Sequence, residues 1–165
     1  MKHKRNITFS YEEADNINDL EQSDRELVEI ARETAGNAYA PYSNFRVGAA
    51  LRLESGRIVK GTNIENAAFP SGLCAERSAI ASAATNFPGD KITTIAIAAE
   101  TDSGITDEIV SPCGNCRQVI AEEELRNNNS IRIILSSRSS FYIVEKGEYL
   151  LPLQFSIRNL QSGRR

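Results

Sequence analysis

Apolar and polar residues alternate along this chain in two rhythms, and each predicts a kind of element. Leu27, Ile30, Ala31, Thr34, Ala35 and Ala38 recur at the spacing of one helix face. Ser23-Asp24-Arg25-Glu26 ahead of them has the form of a capping box, and Pro41 stops the run. A helix is predicted from about Asp24 to Tyr39. Arg46 to Leu53 reads as a strand, Ser55-Gly56 as a turn, and Arg57 to Thr62 as the returning strand of a hairpin. Asn63 to Leu73 is rich in Asn, Pro and Gly and reads as a loop. Ala75 to Phe87 is alanine-rich and helical, ending before Pro88-Gly89. Lys91 to Ala99 has the β-branched, apolar run of a buried strand, and Thr101 to Ser111 reads as a loop. A third helix runs from about Gly114 to Arg126, followed by short strands at Ile131 to Ser136 and Phe141 to Val144 and a short turn or helix at Glu148 to Leu151. At the other end, Ile7 to Tyr11 reads as a short strand or extended arm, and Glu12 to Gln22 as an acidic surface connection. Strands that alternate with helices imply an α/β sandwich around one sheet.

Composition narrows the function classes. The 165 residues make one domain, with no internal repeat or interdomain linker. With 41% hydrophobic and 25% charged residues, the chain can bury a full core without disulfide staples. A net charge of -3 argues against a dedicated nucleic-acid binder, because phosphate contacts need clustered positive charge. Lys2, Lys4, Arg5, Arg164 and Arg165 at the two ends read as solvated basic termini. No apolar run approaches the roughly 18 residues of a membrane span. The basic start carries no apolar segment, so no secretory signal is expected and the expected compartment is the reducing cytoplasm. Cysteines there serve as thiolates or ligands more often than as disulfides.

Histidine is almost absent. His3 is the single one and lies in a polar terminal segment. Ser-His-Asp triads, Cys-His dyads and His-rich metal sites are therefore not expected within one chain. Proton transfer near neutral pH then falls to a carboxylate, a thiol, a lysine or a metal-bound water.

The three cysteines fall in two short clusters, Cys74-Ala75-Glu76-Arg77 and Pro112-Cys113-Gly114-Asn115-Cys116-Arg117. Each cluster sits at the predicted start of a helix, where free N–H groups and the helix dipole stabilise thiolates. Cys113 and Cys116 are three apart, so their sulfurs can point the same way. Two facing helix starts would bring all three sulfurs to one point. Three thiolates fill three corners of a tetrahedral zinc site and leave the fourth for water, the arrangement of a catalytic zinc. C-G-N-C alone also suits a thioredoxin-like redox pair, but that reading leaves the Cys74 cluster unexplained. A structural zinc would want a fourth Cys or His. Glu76, two residues from a candidate ligand, is a candidate acid/base beside the metal.

Zinc deaminases that act on nucleobases use this pattern, with a three-cysteine variant, a P-C-x-x-C half and a glutamate that is not a ligand. The chain resembles the small cytidine deaminases of pyrimidine salvage. The matching stretches are Y-A-P-Y-S-N-F-R-V-G-A-A (Tyr39 to Ala50), N-I-E-N-A-A-F (Asn63 to Phe69), C-A-E-R-S-A (Cys74 to Ala79) and S-P-C-G-N-C-R-Q (Ser111 to Gln118), with a weaker match at L-L-P-L-Q-F (Leu150 to Phe155). The resemblance implies a three-layer α/β/α fold around a mixed sheet of roughly five strands. It covers a deaminase domain over 23–155 and leaves an N-terminal arm over residues 1–22 and a C-terminal tail over 156–165 outside the pattern.

The resemblance further implies residue roles. Cys74, Cys113 and Cys116 hold one Zn²⁺ per chain, and Glu76 is the proton shuttle in the hydrolysis of cytidine or deoxycytidine to the uridine product and ammonia. Asn63 and Glu65 bind the ribose hydroxyls, Phe45 packs on the pyrimidine, and backbone groups near Ala75 and Ser111 read the base edge. Phe155 reaches a neighbouring subunit's site in a homotetramer. Three thiolates leave the zinc centre net negative, so a cation is expected to draw charge from the sulfurs: Arg77, where the resemblance also places an arginine, is the first candidate, and Arg117, next to Cys116, the second. The partner expected is a small nucleoside, with no nucleic acid and no membrane. Two positions depart from the family pattern. Phe69 stands where many relatives carry Tyr, and Leu153-Gln154 replaces a small Gly-Ala pair. The alternatives are a deaminase of another cytosine nucleoside such as blasticidin, or a non-catalytic zinc or redox protein.

Overall fold

Strands and helices follow one another in the order that the two rhythms predict. The computed structural model describes residues 1–161. Arg164, Arg165 and the end of the expected tail lie outside the described residues. An extended arm leads into strand β1 (Glu12–Ala14), and helix α1 spans Gln22–Ala35. The hairpin β2 (Arg46–Leu53) and β3 (Ile58–Thr62) precedes α2 (Ala75–Asn86). Strands β4 (Ile92–Thr101) and β5 (Gly104–Ile105) lead to α3 (Gly114–Asn127). The second hairpin, β6 (Arg132–Ser136) and β7 (Phe141–Val144), and a short helix α4 (Ile157–Gln161) complete the described chain.

The sheet runs in the order β1-β7-β6-β4-β2-β3, with β5 paired to the end of β4. Strands β4 and β6 are parallel and joined through α3, while the other pairings between these seven strands are antiparallel. Alternate residues of each strand point to opposite faces, and the sheet builds two cores in this way. On one face Ala50, Ala96, Ala98 and Ile134 meet Leu27, Val28 and Ala31 of α1. On the other, Leu51, Ile95, Ile97 and Ile133 meet Ala75, Ala79 and Ala83 of α2 and Ile120 of α3. The result is the expected three-layer α/β/α sandwich. Helix packing is closest where the strands carry glycine. A Cβ on Gly48 would lie 2.1 Å from the Ala31 carbonyl oxygen of α1, and one on Gly61 would lie 2.4 Å from the Ala79 nitrogen of α2. The second contact presses the first turn of α2, and with it Cys74 and Glu76, directly onto β3.

The structure corrects several expectations. The sheet has seven strands rather than roughly five. The additions are short: β1 pairs three residues along β7, and β5 pairs two along β4 through a turn at Gly104, whose φ is 94°. Strand β1 falls in the acidic stretch read as a surface connection, and Ile7 to Tyr11 carries no strand. Glu12 and Glu13 hide this strand from a hydrophobicity pattern, because it is held by backbone pairing at an edge. Helix α1 starts at Gln22, so Ser23 lies inside it and the capping box does not form; its N-cap is Glu21, without a side-chain cap. It ends at Ala35 with Gly36 as C-cap, short of Tyr39. The Tyr39 backbone instead bonds to Asn63 and Glu65, which draws it out of the helix.

Candidate active site

Two helix starts meet at one edge of the second core. Cys74 is the N-cap of α2 and Cys113 the N-cap of α3, and Cys116 follows in the first turn of α3. The sulfurs of Cys74 and Cys113 are 3.9 Å apart, and those of Cys113 and Cys116 are 3.5 Å apart. All three lie within 4.8 Å of one another. A tetrahedral zinc with Zn–S bonds of about 2.3 Å needs sulfurs about 3.8 Å apart, so the donor set fits zinc in number, chemistry and spacing. The thiols are already unequal. Burial pushes Cys74 and Cys116 above the ordinary thiol value. Burial acts on Cys113 in the same sense, but the Cys116 N–H, the neighbouring Cys116 and Cys74 thiols and the Asn115 N–H together outweigh it and hold this thiol below its ordinary value. A cation here would drive off the remaining thiol protons.

Glu76 stands two residues into α2 and is only 5% exposed. Burial pushes its carboxyl above the ordinary value, while its own backbone N–H, the Cys116 thiol and the charge of Arg77 pull the other way. It lines a cavity of about 500 Å³ together with Cys74, Cys113, Ala75, Ser111 and Ile97. A carboxyl that burial tilts toward its protonated form, beside these sulfurs, has the chemistry to take and give a proton.

The cavity's opposite wall comes from the β2 start and the loop after β3. Phe45, Asn63, Glu65 and Phe69 all line it. The Asn63 amide bridges strand ends: its nitrogen donates to the Phe45 carbonyl at 2.9 Å, and its oxygen accepts from the Val47 N–H at 2.7 Å. This pair of bonds leaves one N–H and one lone pair of the amide unspent. The Glu65 carboxylate accepts from the Tyr42 N–H at 2.8 Å and the Ser43 N–H at 3.3 Å, and the Ser43 hydroxyl donates to its other oxygen. The hydroxyl bond and the Tyr42 N–H hold Glu65 below the ordinary carboxylate value, so it is ionised at neutral pH. Asn44, at φ 54°, turns the chain between Ser43 and Phe45 and aims Phe45 at the cavity.

Three further residues of the expected set lie outside this cavity, Phe155 among them as a residue expected at a neighbouring subunit's site. Arg77 is half-buried in a groove with Ile80 and Val119, and among the described residues no hydrogen bond joins it to a sulfur. Arg117 donates to the carbonyls of Pro112, at 2.8 Å, and Leu150, at 3.0 Å, so it braces the loop into Cys113 instead of the sulfurs. Phe155 is exposed and is not among the described residues that line the cavity. The sequence reading missed Tyr42 as a cavity residue. Its ring meets Phe69 edge-on at 6.0 Å across the mouth. Its only signal is its place inside the Y-A-P-Y-S-N-F stretch.

Comparison with known proteins agrees with this geometry. A family model described as the cytidine and deoxycytidylate deaminase zinc-binding region matches residues 21–129. A cytidine deaminase of Sporosarcina psychrophila is 43% identical over 134 residues, 81% of this chain and 92% of that protein. A blasticidin-S deaminase of Bacillus cereus is 37% identical over 107 residues, 62% of this chain and 74% of that protein. The crystal structure of cytidine deaminase from Burkholderia pseudomallei superposes with a TM-score of 0.67 at 37% identity, covering 79% of this chain and 97% of that one. Three clustered sulfurs at two helix starts, a buried glutamate beside them and a family match spanning both clusters lead to one assignment: this chain belongs to the cytidine and deoxycytidylate deaminase zinc-binding family.

Proposed function

We propose that this chain is a zinc-dependent hydrolase that converts cytidine and deoxycytidine to uridine and deoxyuridine with release of ammonia. The observation that carries the reading is the buried Glu76 in one cavity with Cys74 and Cys113, at the meeting point of three sulfurs. Zinc held by Cys74, Cys113 and Cys116 supplies Lewis-acid activation of water. Glu76 accepts a proton from the attacking water, passes it to ring N3 as the C4–O bond forms, and delivers a second to the departing amine as the C4–N bond breaks. Water enters and ammonia leaves, so the atoms balance. Phe45 packs on the pyrimidine, and backbone groups at Ala75 and Ser111 face its edge. Asn63 and the ionised Glu65 offer donor and acceptor to the sugar hydroxyls.

The family description spans a nucleoside and a nucleotide. An anionic Glu65, and the lack of Lys, Arg or His among the described residues lining the cavity, support a nucleoside, since a phosphate would meet repulsion there. The reading extends to a cytoplasmic homotetramer serving pyrimidine salvage. Its support is the three free cysteines and the exposed Phe69 and Phe155, apolar surface of the kind that subunits cover. No helix of the described residues is long and apolar enough to cross a membrane.

Metal content and ammonia release test the reading together. The purified chain is expected to carry one zinc and to release ammonia from cytidine. Glu76→Gln keeps the zinc and loses about 10²–10⁴-fold in turnover, the range for a general acid–base group. Zinc without deamination of cytidine, deoxycytidine or blasticidin S would leave a non-catalytic metal protein, and a Glu76→Gln variant of wild-type rate would remove the mechanism.

A further inference from the structure

The arm and the turn before Phe155 both lie outside the family match at residues 21–129, and they fold against each other. The Phe9 ring stacks on Tyr149 at 6.1 Å and 25°, and the same Tyr149 ring carries the Lys146 ammonium at 5.7 Å. Ile7 and Phe9 share a cavity with Tyr149, Leu151, Pro152 and Leu153. Behind them the arm is anchored twice. Tyr11 meets Tyr142 at 4.8 Å, and β1 pairs with β7 from Glu12↔Ile143 to Ala14↔Phe141.

The turn needs holding. Leu153 sits at φ 59°, a left-handed conformation that costs a leucine and not a glycine, and the residue is 91% exposed. From the α3 side the segment is caught by a single side-chain bond, Gln118 Nε2 donating to the Phe155 carbonyl at 2.9 Å. We propose that the N-terminal arm is a strap for the Leu151–Phe155 segment, with Phe9 as the positioning residue that sets Phe155. The consequence for activity rests on the proposed function, in which Phe155 completes a neighbouring subunit's site.

The test is Phe9→Ala in the full chain, read by amide hydrogen exchange and by steady-state kinetics on cytidine. Phe9 is 46% exposed, so its truncation leaves both cores intact. Exchange across residues 150–157 is expected to rise about tenfold while β4 and β6 keep wild-type protection, the mark of a local opening. KM for cytidine rises with kcat little changed, and Phe9→Tyr, which keeps the ring, restores both readouts. Unchanged exchange over residues 150–157 overturns the strap, and so does a uniform rise that includes β4 and β6. Phe155→Ala separates the two ideas: if it leaves KM unchanged, the role of Phe155 at a site fails, while the exchange result still decides the strap.

Discussion

Glu65 shows how one side chain serves both structure and site. Its carboxylate gathers the Tyr42 and Ser43 N–H groups and the Ser43 hydroxyl, and so shapes the turn that presents Phe45. These bonds hold its pKa below the ordinary 4.5, so the folded state prefers the ionised form. The stabilisation is full above the unfolded value and is lost as pH falls through the lower folded value. The Tyr42 amide resonance is therefore expected to titrate with a midpoint below 4.5 and to stop titrating in Glu65→Gln. A midpoint at or above 4.5 would show that the turn does not depend on the charge. Leu153 makes the opposite case, a residue at odds with its backbone. Replacing it by Gly removes the left-handed penalty, partly offset by a more flexible unfolded chain, for a net gain of about 1 kcal/mol. Thermal unfolding of Leu153→Gly should move up by a few degrees; a fall would mean that the leucine side chain holds the turn itself.

Elements with a strong period were legible in the sequence, and elements held by backbone pairing were not. Strand β2 matches its predicted bounds at Arg46 and Leu53, because Ala49, Leu51 and Leu53 alternate with positions facing α1. Helices α2 and α3 start where the cysteine clusters predict, at Ala75 and Gly114. Strand β1 and strand β5 have no buried stripe to announce them. The cysteines and Glu76 could be read as a site because their chemistry is unusual for a lone chain with one terminal histidine. The bracing role of Arg117 could not, since it depends on the distant Leu150 carbonyl. Nor could the approach of α2 to β3, which rests on Gly61. A methyl group there meets Ala79 nitrogen and Ala75 oxygen, both backbone atoms that cannot swing aside. Gly61→Ala should cost about 1–3 kcal/mol in denaturant unfolding through overpacking. It also displaces Cys74 and Glu76, and misplacement of about 1 Å can cost about 10²-fold in rate. Wild-type stability and rate in this variant would show that α2 shifts freely without disturbing the sulfurs.

At the scale of the whole molecule, one chain leaves its site open. The cavity is flanked by the exposed Tyr42 and Phe69, while Phe155 is exposed and is not among the described residues that line it. A second copy would cover this surface, and the proposed assembly has each Phe155 enter another chain's cavity. That arrangement makes a prediction no single chain can satisfy. Glu76→Gln removes the proton carrier but keeps Phe155, and Phe155→Ala keeps the carrier but lacks the ring. Each variant alone is expected to be poor at low cytidine concentration. Unfolded together and refolded as a mixture, the two form hybrids in which an intact Glu76 lies in one chain and an intact Phe155 comes from its neighbour. Activity at low cytidine should then exceed the sum of the two variants refolded apart, and the gain should follow the fraction of mixed oligomers measured by native mass spectrometry. If Phe155 served its own chain, the hybrids would gain nothing, because every Glu76-intact chain would still lack its ring.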